Sequence, residues 1–251
     1  MKKQFIILLT LCIIGQLAII PYTLSIQPDA FEQIPISMPL VILLQVVNTI
    51  IISSILILVG LLIAPKVGLG IPIIDRFVKG KNVCTYLKKI IPLSIITGIL
   101  VGVVILILDL LFDYFSGSIA LDSSLVPSIF AGFLASLYGG INEEIMLRLF
   151  LMSLIVIIFT KIRKNVDKKP SNVIIWYSIF ITAILFGIGH IPIASSIVSL
   201  TPLFIVRIML LNGIGGIVFG WLYWKKGLES AMISHFVADI VLHVIPFLFI
   251  F

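Results

Sequence analysis

The chain has 251 residues, 61% of them hydrophobic and only 11% charged, with a mean hydropathy of +1.29. A soluble domain carries about 25% charged residues, so this composition excludes one. The apolar stretches are unbroken runs, unlike the short alternating segments of a membrane β-barrel, so the fold class is all-α, a polytopic transmembrane helical bundle. The formal charge of +6 is distributed as membrane topology requires, which points to the lipid bilayer and to no nucleic acid as partner.

Lys2 and Lys3 precede an apolar run over residues 5–20 that no small-residue cleavage site follows, so it reads as an uncleaved first span. Residues 22–37 hold Asp29 and Glu32 and no base; residues 39–64 form the second span. The next loop, 66–89, is rich in Lys and Arg, and within it residues 68–78 group their apolar positions as a short amphipathic helix at the membrane surface. Residues 90–111 are the third span, and the loop 114–124 again lacks a base. The run 127–160 is longer than a bilayer needs. Its Gly139-Gly140 pair predicts a break, with a long helix starting near Ile141. After a basic loop at 161–169 come spans over 172–191 and 203–224, and a last one over 228–251, bent at Pro246.

Seven main spans result, or eight hydrophobic helices if 127–160 counts as two. Every Lys and Arg except Arg148 and Arg207 lies at the N-terminus or in the loops after spans two, four and six. The positive-inside rule then puts the N-terminus in the cytoplasm of a multi-pass plasma-membrane protein. Cys12 and Cys84 lie in an apolar run and a basic loop, a setting for neither a disulfide framework nor a metal site.

The informative residues are the ionisable ones inside apolar runs: Glu143, Glu144, Arg148, His190, Arg207, His235, Asp239 and His243, with Asp109 near a helix end. Each costs about 2.5–3.5 kcal/mol at a helix centre on insertion scales and is by default a functional-site hypothesis. Glu144 and Arg148 are four apart, so they share a helix face and can pair. Glu143 points about 100° away and is free to act on something else. His235 and Asp239 also share a face; His243 lies about 12 Å along the axis from His235 and stays outside the core site. Carboxylate and imidazole are what a water-activating site requires, by metal coordination or by general base catalysis. No His-Glu-x-x-His or Gly-x-Ser-x-Gly motif occurs. The Gly216/Gly220 pair speaks for close helix packing.

Taken together, the pattern resembles the CAAX-protease and bacteriocin-processing (CPBP, or Abi) intramembrane endopeptidases. Their Glu-Glu-x-x-x-Arg motif is matched by Glu143, Glu144 and Arg148, their Phe-x-x-x-His by Phe186 and His190, and their His-x-x-x-Asn by His235 with Asp239 in the asparagine place. The resemblance spans residues 127–244, the catalytic core it implies, with N-terminal helices and the amphipathic segment over 1–126 and the end of the last helix over 245–251. It implies hydrolysis of a peptide bond in a membrane-associated protein or peptide. Glu143 would activate water, His190 would position it or the carbonyl, His235 and Asp239 would stabilise the oxyanion, and Glu144–Arg148 would hold the site's shape. It leaves Zn²⁺ open, with His190, His235, Glu143 and Asp239 as candidate ligands. Asp239 departs from the pattern, because an ionised aspartate cannot donate to an oxyanion as asparagine does.

Two other functions compete with the protease: a non-catalytic protein of the same fold acting in bacteriocin-type immunity or partner binding, and a small transporter. The transporter would show inverted repeats, and comparing the halves reveals none. One geometric difficulty stands. Counted from the basic loops, Glu143 and His190 lie about 27 Å along their helices and His235 only about 13 Å. Convergence needs projecting spans, tilt, or a last span that begins deep; we expect spans four and five to project.

Overall fold

The computed structural model describes residues 1–28, 35–116, 127–163 and 169–248. Among them are eight α-helices and no strand: α1 (Lys2–Ile26), α2 (Met38–Ile63, prolonged by the 3₁₀ turn Ala64–Val67), α3 (Pro72–Val78), α4 (Cys84–Ser116), α5 (Ile129–Ile162), α6 (Asn172–Ser195), α7 (Pro202–Lys226) and α8 (Leu228–His243). Of these, α1, α2 with its extension, α4, α5, α6 and α7 are long and apolar enough to cross a bilayer. The expected acidic residues Asp29 and Glu32 lie outside the described residues, as do 164–168 of the basic loop; the helix before them ends at Ile162.

Two expected elements differ. The run expected to break at Gly139-Gly140 is one continuous helix, α5, which widens into π-helical turns over Gly139–Glu143 and Ile145–Met152. The last span is shorter than expected. α8 has 16 residues, about 24 Å, and stops at His243; Pro246 opens a separate 3₁₀ turn. Proline supplies no N–H and disfavours helix at the residue before it, so it ends the element here and does not merely bend it.

α8 lies at the centre of the bundle. Hydroxyls and small residues carry its contact with α4: Ser94 and Ser230 are 2.7 Å apart, Thr97 and Ser234 3.0 Å. Gly98 and Gly102 abut Ser234–Val241 so closely that a Cβ on either would meet α8 within 3 Å. In lipid, van der Waals contact and interhelical hydrogen bonds drive association, and small residues permit both. Gly216 and Gly220 do the same between α7 and α6, against Ala183 and Ile179.

The segment 64–78 forms a strap beneath the start of α8. Its Val67, Leu69, Ile71 and Ile74 are buried in the core with Leu228. The Leu228 amide donates to the Gly70 carbonyl (3.0 Å), and the amides of Ile73 and Ile74 both donate to one Glu229 oxygen (2.9 Å each). Gly227, at φ 93°, makes the α7–α8 turn against Pro72, a conformation and a closeness that exclude a side chain. The Tyr223 hydroxyl lies 2.9 Å from Ser153 Oγ, and Ser153 precedes the end of α5 by more than two turns. The α7–α8 turn is therefore set inboard of that end, with the strap filling the level below. This relative offset, which projection of the helix carrying Glu143 produces as well as a deep start of α8, accounts for the mismatch in counted depth.

Candidate active site

Three elements build the site. α5 supplies Glu143, Glu144 and Arg148; α8 supplies His235 and Asp239; α6 supplies Phe186 and His190. The Gly139-Gly140 pair lets α5 approach α8. A Cβ on Gly140 would sit 2.9 Å from the Met232 carbonyl and from Phe236, and one on Gly139 would collide with the Asp239 carboxylate and come within 3.3 Å of His235 Nε2.

His235 is the hub. Its Nδ1 lies 2.9 Å from Glu144 Oε1, and its Nε2 lies 3.7 Å from Glu143 Oε2 and 3.6 Å from Asp239 Oδ1. Glu144 Oε2 meets Arg148 Nε at 3.2 Å, and both side chains are wholly buried. Glu143 and Asp239 retain 19% and 14% exposure, so the site has a dry inner half and an accessible outer one. Glu143 differs from the α-helical expectation of pointing away from its neighbour. In the π-helical turns, where bonds run i to i+5, successive side chains diverge less than in an α-helix, and the adjacent glutamates take opposite nitrogens of one imidazole.

Aromatic rings fix that imidazole. Phe219 of α7 stacks on it at 4.5 Å and 20°, and Phe186 meets it edge-on at 5.8 Å. Phe186 also meets the His190 ring at 4.7 Å and lies under the Arg148 guanidinium at 5.7 Å, so the motif's phenylalanine joins all three motifs. His190 is half-buried; its Nδ1 is 2.9 Å from the Phe186 carbonyl, and the Phe186 ring contacts both His190 and His235. Among the described residues, no three His, Cys, Asp or Glu side chains are arranged to hold a metal ion.

Other intramembrane polar residues lie elsewhere. His243 meets Tyr22 of α1 edge-on at 5.6 Å. Arg207 binds Asp109 (2.7 Å) and Asp113 (2.6 Å), joining α7 to α4. That pairing was readable, since Asp109 and Asp113 are four apart and Arg207 needed a partner. Phe219 had no such signal: a phenylalanine in an apolar helix is unremarkable by sequence.

Gly139→Ala is expected to cut turnover at least tenfold with the protein still folded, because its methyl takes the place of the Asp239 carboxylate and misplaces the outer half of the site. A cleavage assay beside thermal unfolding checks this; wild-type turnover would show that Asp239 can move without consequence.

Residues 125–241 match the family model described as Rce1-like, type II CAAX prenyl endopeptidase Rce1-like. The match begins just before α5 and ends within α8, covering every residue of the site described above. No curated protein and no solved structure matches the chain.

Proposed function

Because residues 125–241 carry a domain of the Rce1-like CAAX prenyl endopeptidase family, we propose that this multi-pass membrane protein is an intramembrane endopeptidase. It hydrolyses a peptide bond of a membrane-associated protein or peptide, with water activated by Glu143. One observation carries the reading. Two accessible carboxyl groups, Glu143 and Asp239, flank a single imidazole nitrogen whose ring is fixed on its other side by the buried Glu144–Arg148 pair.

Glu143 takes a proton from water as the oxygen attacks the scissile carbonyl, then returns it to the leaving nitrogen. As the imidazolium, His235 donates Nδ1–H to Glu144, which sets the ring so that Nε2–H faces the reacting centre and stabilises the oxyanion. Glu144 and Arg148 act as positioning residues. His190, half-buried and in edge contact with Phe186, orients the carbonyl or the water. The N-terminus faces the cytoplasm, as the basic loops require. The test is a library of membrane-anchored peptides incubated with the detergent-purified protein, with new termini read by mass spectrometry. Folded protein that produces none, in any member, would leave the non-catalytic reading standing.

Asp239→Asn distinguishes the metal-free route from a zinc-dependent one. Under the metal-free route the amide donates to the oxyanion without first acquiring a proton, so turnover at neutral pH is preserved or raised. Zinc analysis accompanies the assay. Stoichiometric zinc in the wild type, lost together with activity in Asp239→Asn, would overturn the metal-free route.

A further inference from the structure

At the basic end of the bundle, α1 and α3 enclose a groove of ≈ 360 Å³ lined by Lys3, Ile6, Ile7, Phe77 and Val78. A hydrogen bond from Gln4 Nε2 to Asp75 Oδ1 (2.6 Å) holds the two helices together beside it. The lining contains one ammonium and no acid, while Lys2 precedes it and Lys79 and Lys81 follow it in sequence. Phe77 is 67% exposed and Ile6 51%. The groove also continues a longer surface: Lys3, Ile6, Thr10, Ile14 and Leu17 recur at helical spacing and are all exposed, one stripe of α1 that ends in the lysine. Apolar flank leading to cationic rim is the order of acyl chain and phosphate in a lipid.

We propose that this groove binds an anionic phospholipid, with an acyl chain along Ile6, Ile7, Phe77 and Val78 and the phosphate at Lys3. The apolar lining selects a chain-bearing ligand over a free phosphate, and the Lys3 ammonium selects an anionic headgroup over a zwitterionic one. Because α3 belongs to the strap on which α8 begins, a lipid that clamps α3 to α1 also secures the start of the helix carrying His235. The site does not depend on the protease assignment, and its test needs no substrate.

Delipidated protein in detergent is titrated with phosphatidylglycerol, phosphatidylcholine or glycerol 3-phosphate, and bound lipid is read by native mass spectrometry beside thermal unfolding. Phosphatidylglycerol is expected to remain bound at one per chain and to raise Tm by about 2–4 °C; the other two are expected to do neither. Lys3→Gln should weaken retention about fivefold. Ile6→Trp fills the groove while keeping every charge and should abolish retention, whereas Lys161→Gln, at the end of α5, should change nothing. Equal retention of phosphatidylcholine would overturn the proposal, as would a full shift from glycerol 3-phosphate. So would wild-type binding by both Lys3→Gln and Ile6→Trp.

Discussion

Glu143→Gln is expected to lower peptide cleavage by about 10²–10⁴-fold, the usual contribution of a general base, with folding and membrane insertion unchanged. The substitution keeps the side chain's shape and removes only its capacity to take a proton. Its structural cost should be small, because Glu143 is partly exposed and its nearest charged partner in the site, His235 Nε2, is 3.7 Å away, beyond a strong hydrogen bond. Glu144 cannot substitute for it: its carboxylate is wholly buried, with one oxygen on His235 Nδ1 and the other beside Arg148. Loss of activity with an unchanged unfolding midpoint would place Glu143 at the reacting atoms. Undiminished turnover would end its assignment as the base.

The parts of this site that were legible in the sequence share one property: they repeat at helical spacing. Glu144–Arg148, Phe186–His190 and His235–Asp239 are each four apart, so their shared faces follow from 3.6 residues per turn before any coordinates are known. Composition likewise sufficed for an all-helical membrane fold. What escaped the sequence depends on departures from that regularity or on contacts between distant segments. The π-helical turns of α5 bring adjacent glutamates to opposite nitrogens of one ring, which the 100° separation of neighbours on an ideal α-helix does not suggest.

The strap is the second example. Residues 68–78 read as a surface amphipathic helix, but only Pro72–Val78 is helical, and nothing local says that its apolar residues pack beneath α8 instead of lying only on lipid. Glu229, which fixes that docking through the amides of Ile73 and Ile74, looks by sequence like an ordinary acid in the first turn of a helix. Depth counted from loops then misleads, since the α7–α8 turn lies inboard of the end of α5.

Arg148 separates the architecture from the chemistry. Arg148→Met is expected to destabilise the protein by about 3–5 kcal/mol, the cost of leaving one member of a buried pair without its partner. Met occupies most of the arginine's stem volume, so the loss reports charge and not a cavity. Glu144 would keep the bond from His235 Nδ1 but lose the 3.2 Å contact to the guanidinium, in surroundings wholly closed to solvent. The double variant Arg148→Met with Glu144→Gln tests that cause. Among the described residues, Arg148 Nη1 and Nη2 have no hydrogen-bond partner, so the native pair carries uncompensated desolvation, and replacing both charges should recover much of the lost stability. The same variant should remain slow in cleavage, because a glutamine at 144 no longer offers His235 a charged acceptor. Equilibrium unfolding of the two single variants and the double completes the cycle. If the double variant is no more stable than Arg148→Met, the ion-pair account fails, and packing over the Phe186 ring is what the arginine supplies.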